Sequence, residues 1–160
     1  MTSLIQQPFI IRVYGIAIHG GKLLVCDEFW FETPMTKLPG GGMEYGEGTI
    51  DCLKRECMEE LGQEVDIISH FYTTDFFQST RFIPGKQLIS IYYTMQLRQP
   101  DKLPVMDQPF DFGPLKEGAM GFRWIDMCEL KESDLTFPID KKVISMLLKQ
   151  CPGTVTRPKG

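Results

Sequence analysis

The chain has 160 residues, 42% of them hydrophobic, and a formal net charge of -4. That size and apolar content suit one compact core, whereas the acidic balance excludes the global positive field that would hold a nucleic-acid polymer by counterion release. No segment is long and apolar enough to span a membrane.

In chain order, Ile10 to Ile18 and Lys22 to Asp27 are β-prone runs joined by His19-Gly20-Gly21, which predicts an opening hairpin. Strand alternation sends one or two of the rings of Phe29-Trp30-Phe31 into the core, the favoured reading, while a ring left facing a cleft could stack on a base. Lys37-Leu38-Pro39-Gly40-Gly41-Gly42 reads as a sharp turn without a regular element. From Gly48 to Leu61, Ile50, Leu53, Cys57 and Leu61 recur at helical spacing, with Gly62 at the expected C-terminal cap. Strands follow at Val65 to Phe76, Leu88 to Leu97 and Gly121 to Ile125. The Arg98 to Gly118 segment, broken by Pro100, Pro104, Pro109 and Pro114, reads as a long loop. Asp140 to Lys149 reads as a closing amphipathic helix, stopped by Pro152-Gly153. One domain over 1–152 and a disordered tail over 153–160 are expected.

The five cysteines, Cys26, Cys52, Cys57, Cys128 and Cys151, form no C-x-x-C pair and no zinc spacing. Met1 to Gln7 lacks the basic start and apolar stretch of a secretory signal. Both observations fit a cytoplasmic protein with reduced thiols. His19 and His70 have no serine or cysteine partner at a recognisable spacing, so a nucleophilic triad has no support.

The chemistry concentrates after Gly41. On a helix turning roughly 100° per residue, Glu56, Glu59 and Glu60 share an arc of about 100°, opposite the apolar face of Leu53 and Cys57. No lysine is interleaved at i+4 to relieve their repulsion. A hard divalent cation with oxygen ligands, Mg²⁺ or Mn²⁺, would turn that repulsion into binding. The preceding glycines, Gly40, Gly41 and Gly42, allow close backbone approach and expose amide N–H groups suited to phosphate oxygens.

The stretch Gly41 to Gln63 resembles the Nudix box, G-x5-E-x7-R-E-U-x-E-E-x-G-U, with Gly41, Glu47, Arg55, Glu56, Glu59, Glu60 and Gly62 all present. By average residue usage, seven fixed positions would match by accident on the order of once in a million chains of this length. Cys57 and Gln63 stand at the two positions that usually carry bulky apolar residues. The resemblance implies an α/β/α sandwich with a mixed sheet between helices. It also implies hydrolysis of a small nucleotide-derived diphosphate by metal-activated water, and family members are often homodimers. By position, Glu56, Glu59 and Glu60 match the family's metal ligands, with Glu47 and Gly41 completing the metal environment. Arg55 matches the residue that orients a box glutamate, and Glu56 or a glutamate from a distant loop serves as base. Glu117 is the preferred distal candidate, ahead of Asp107 and Asp111. Arg12, Lys37 and Arg81 are isolated cations without an assigned role.

A non-catalytic nucleotide-binding or sensor module is the rival reading, since a fold can outlive its chemistry. The intact acidic set argues against it. A related diphosphate isomerase would need metal-binding histidines and a reactive cysteine that the sequence does not place. Substrate identity is not written in the box, because specificity is built outside it.

Overall fold

In this computed structural model, residues 8–150 are described; the 153–160 tail and Cys151 lie outside them. The strands are β1 (Phe9–His19), β2 (Lys22–Trp30), β3 (Thr33–Lys37), β4 (Gly40–Gly42), β5 (Val65–Thr73), β6 (Gln87–Leu97) and β7 (Ala119–Asp126), and the α-helices are α1 (Thr49–Leu61) and α2 (Pro138–Gln150). The sheet runs β3-β2-β1-β6-β5, with β4 added on β1 and β7 on β2. β1 and β6 are parallel and the other pairs antiparallel, so the sheet is mixed.

Period-two alternation divides the core between the sheet's faces. Ile16, Leu23 and Val25 pack with Ile139, Val143, Ile144 and Leu147 of α2. Val13, Ala17, Leu24 and Cys26 pack with Leu53, Cys57 and Leu61 of α1. A helix on each face of a mixed sheet is the expected α/β/α sandwich. Each fully buried aliphatic side chain contributes about 1.5–3 kcal/mol of transfer free energy.

α1 ends as the sequence requires: Gly62 is left-handed at φ 66°, and its N–H donates to the Met58 carbonyl at 3.1 Å. Ile50, read as part of the apolar face, is exposed instead, and Cys52 is buried in its place.

The glycine segment departs from expectation. Lys37 closes β3, and Gly40–Gly42 is itself a short strand, pairing with Tyr14, Val13 and Arg12. Gly40 adopts φ 135°, and a Cβ there would lie 2.1 Å from the Val13 carbonyl oxygen. Glycine thus permits an unusually close strand contact as well as the turn. β5 stops at Thr73 rather than Phe76, and α2 begins at Pro138 rather than Asp140. Proline suits a helix's first position, where its missing N–H is not needed.

Two polar ties organise the long loop after β6. Gln63 exchanges hydrogen bonds with the Gln99 backbone, donating from Nε2 at 3.1 Å and accepting at Oε1 at 2.9 Å. Its polar character at an apolar motif position therefore secures the start of the loop. Further along, the Phe110 amide donates to the fully buried Asp27 at 3.2 Å, which also accepts from Arg123 Nε at 2.6 Å and Thr36 Oγ1 at 2.6 Å.

β1 and β2 pair only beside their turn, at Ile18–Leu23 and His19–Lys22. Beyond it β4 takes the place beside β1, while β3 and β7 flank β2. The strands splay, and their divergence opens a cleft.

Candidate active site

The cleft has a volume of about 910 Å³, within the range of small-molecule sites. Its walls include Arg12 and Tyr14 from β1, Glu28 and Trp30 from β2, Lys37 from β3, and Tyr92 from β6. Of the predicted site residues, Gly41, Gly42, Glu56 and Glu60 line it.

Arg55 ties the remaining box residues together. It donates through Nε to Glu47, through Nη2 to Glu47 at 2.9 Å and to the Gly42 carbonyl at 3.0 Å, and through Nη1 to Glu56 at 3.1 Å and Glu59 at 3.2 Å. The repulsion expected to go unrelieved on this helix is thus relieved by Arg55 itself. These charge-assisted hydrogen bonds pull Glu47 down to about 2. Glu47 stays ionised and fixes the guanidinium that orients Glu56.

Glu60 is held from the sheet side. Its Oε2 accepts the Gly40 amide at 3.3 Å, and Oε1 lies 3.9 Å from Lys37 Nζ. Burial raises its pKa above the usual carboxylate range, opposed by Lys37 and the Gly40 amide. Lys37, only 4% exposed, also sits 3.2 Å from Glu28. Burial disfavours its charge, but Tyr14, Glu28 and Glu60 outweigh it and hold its pKa above the ordinary lysine value. The pairing of Glu28 and Lys37 has a local cause: Glu28 opposes Met35 across the β2–β3 ladder, which places it diagonal to Lys37. Neither residue was assigned a role from sequence; opposite charges at diagonal positions of a hairpin were the available signal.

Gly41 permits another close approach. A Cβ there would stand 2.4 Å from the Glu56 carboxylate carbon, so only glycine lets that carboxylate lie against the backbone. Among the described residues, no three carboxylate, imidazole or thiol groups already converge as a cation cage, because Arg55 and Lys37 occupy them. The donor set nonetheless fits a hard cation, being carboxylate oxygen on one helix face with a backbone notch at Gly41. Glu56, Glu59 and Glu60 are the residues that would hold it.

Glu117 stands elsewhere. Its carboxylate accepts the amides of Phe31 at 2.9 Å and Glu32 at 2.8 Å, and it does not line the cleft; nor do Asp107 and Asp111. For the aromatic run the structure follows the less favoured of the two readings. Trp30 is 43% and Phe31 59% exposed, and both line the cleft instead of packing into the core.

Behind the cleft, Tyr14 and Tyr92 stack with centroids 5.4 Å apart. Tyr92 donates to Asp140 at 2.6 Å. Burial raises Asp140 to about 6, opposed by that hydrogen bond and by the positive charges of Lys37 and Arg12.

A family model described as NUDIX domain matches residues 9–147. A search of curated proteins found no match. Among solved structures, the chain is similar to the ORF135 protein of E. coli at 19% identity and TM-score 0.65, covering 99% of each chain. It is also similar to a NUDIX hydrolase from Nitrosomonas europaea, at 20% identity and TM-score 0.64, covering 92% of this chain and 74% of that one. A structure named UDP-X diphosphatase matches at 18% identity and TM-score 0.57, covering 93% and 66%. At these identities the structural likeness speaks for the fold.

Proposed function

The chain belongs to the Nudix family, and from that premise we propose that it is a Mg²⁺- or Mn²⁺-dependent hydrolase cleaving a phosphoanhydride bond in a nucleoside diphosphate linked to another group. The observation that carries this reading is the meeting of Glu56 and Glu60 with Gly41 and Gly42 on one wall of the cleft. The likeness to a structure named UDP-X diphosphatase is in keeping with such a substrate.

Glu56, Glu59 and Glu60 would hold the divalent cation, which when bound would supply charge neutralisation for phosphate oxygens and a more acidic water. Water oxygen bonds to one phosphorus as the bridging P–O bond breaks, which yields two phosphorylated products and releases one proton. Glu56 is the residue we assign to accept that proton, because Glu117 is engaged with two backbone amides. Arg55 holds Glu56 and Glu59 in place from behind, and Glu47 fixes Arg55. Lys37 keeps Glu60 turned toward Gly40. The glycine strand brings backbone close to the diphosphate. Small cleft dimensions fit a nucleotide derivative rather than a polymer.

The test is a panel of nucleoside triphosphates, nucleotide sugars, ADP-ribose, dinucleotides and non-nucleotide diphosphates, assayed with Mg²⁺ or Mn²⁺ and again with EDTA. Cleavage of at least one nucleoside diphosphate derivative into two phosphorylated products, abolished by EDTA, is expected. No turnover across the panel, or turnover indifferent to EDTA, contradicts the proposal.

A further inference from the structure

The turn between β2 and β3 carries an unusual sequence for its shape. β2 ends at Trp30 and β3 begins at Thr33, so Phe31 and Glu32 form the whole two-residue connection. Both have positive φ, 51° and 56°. Two-residue hairpin turns of that hand favour Asn-Gly, because a Cβ is disfavoured in this region and a bulky side chain most of all. Such strain persists only where the surroundings over-determine it.

Here the surroundings are Glu117 and its neighbour. The two Glu117 oxygens take the amides of Phe31 and Glu32 separately, and the Gly118 amide donates to the Phe29 carbonyl at 3.0 Å. The result is a ring held out at the cleft rather than folded into the core. Phe31 stacks on Phe82 from the β5–β6 loop, with centroids 4.5 Å apart and planes 15° from parallel. Arg81 lies over the Phe82 ring at 5.5 Å, and Trp30 lies 6.4 Å from Phe31. All four side chains line the cleft that also contains Glu56 and Glu60.

We infer that Phe31 and Phe82 form an aromatic wall on which a flat ring of the substrate, a nucleobase, stacks, and that Glu117 is a positioning residue for that wall. This rests on the diphosphate hydrolase reading and adds what recognises the organic part of the substrate. A ring with two polarised faces binds such a wall without reference to its edge pattern. The wall therefore selects nucleotide over base-free diphosphates more than one base over another.

Phe31→Ala, Phe82→Ala, Phe82→Tyr and Glu117→Ala should be compared with the unaltered protein, with thermal melting confirming that each is folded. The readouts are kcat and KM for a cleaved nucleotide and for 5-phosphoribosyl diphosphate, and calorimetric Kd for AMP and ribose 5-phosphate. Phe82→Ala is expected to lower the preference for nucleotide over base-free substrate about 5- to 100-fold, chiefly through KM. Phe82→Tyr restores it, and Glu117→Ala moves KM in the same direction with kcat little changed. Equal losses on both substrates overturn the wall, and a fall in kcat alone for Glu117→Ala makes that residue catalytic and overturns its positioning role. If no diphosphate is cleaved, the hydrolase reading fails separately, while a weakened AMP Kd with unaltered ribose 5-phosphate binding still supports the wall.

Discussion

At the acidic end of the cleft, Gly41, Gly42, Glu56 and Glu60 come from one stretch of chain, whereas the aromatic end gathers Trp30 from the end of β2, Phe31 from the β2–β3 turn and Phe82 from the β5–β6 loop. The acidic end is stiffened by charge: Arg55 contacts three carboxylates and Lys37 two. The aromatic end is held by ring stacking and by one carboxylate, Glu117, bound to the backbone of a strained turn. On the proposed function, chemistry that tolerates little displacement would sit on a helix and a short strand, and recognition of the variable part of the substrate would be left largely to loops.

Substitutions at the acidic end should therefore change turnover, and those at the aromatic end should change selection. Glu60→Gln is the largest expected effect: kcat falls about 10²–10³-fold with far-ultraviolet circular dichroism unchanged, in the range seen when a preorganised charge is removed from an active site. Normal turnover would remove Glu60 from the chemistry.

Arg55→Ala leaves Glu47, Glu56 and Glu59 without their shared cation. We expect a loss of about 10–100-fold in activity and a higher Mg²⁺ requirement, measured as rate against metal concentration. An unchanged requirement would make Arg55 purely structural. Gly41→Ala sharpens the point, because the added methyl meets the end of the Glu56 side chain rather than backbone. The fold should survive, with an unchanged melting temperature, while activity falls about tenfold or more from displacement of the carboxylate.

The smallest effect concerns stability. Asp140 has its folded pKa raised from 3.8 to about 6, so the folded state holds a proton that the unfolded chain releases. Its ionisation costs stability as pH rises through that window, and the cost is absent below it. Asp140→Asn should match the unaltered protein near pH 4 and melt a few degrees higher at pH 7. The Tyr92 hydroxyl can still donate to the amide oxygen. A difference of the same size at both pH values would assign the effect to packing.

The same contrast explains what could be read in the sequence. The box was legible because its residues act through contiguous spacing: helical periodicity fixes which glutamates share a face, and Gly62 marks the cap. The α/β/α arrangement was implied by the resemblance. By contrast, the relief of the glutamates by Arg55 escapes a search for lysine alone at i+4 spacing, although Arg55 stands four residues before Glu59. Lys37 and Glu28 gain meaning only through the β2–β3 register. Which rings of Phe29-Trp30-Phe31 face outward stays open in the sequence, because hydrophobicity argues for burial and cannot register the backbone reversal at Phe31 and Glu32. Glu117 sits 86 residues from Phe31, beyond any local pattern. β4 was hidden because three glycines have no strand propensity; tertiary pairing with β1 overrides that preference.

The most direct test is Mn²⁺ binding followed by electron paramagnetic resonance of the free ion, with AMP present, a nucleotide that has no phosphoanhydride bond to hydrolyse. The unaltered protein should deplete free Mn²⁺, and a Glu56→Gln/Glu60→Gln double variant that still folds should not. Equal depletion by both, or none by either, would contradict the assignment of this helix as the cation-holding wall of the cleft.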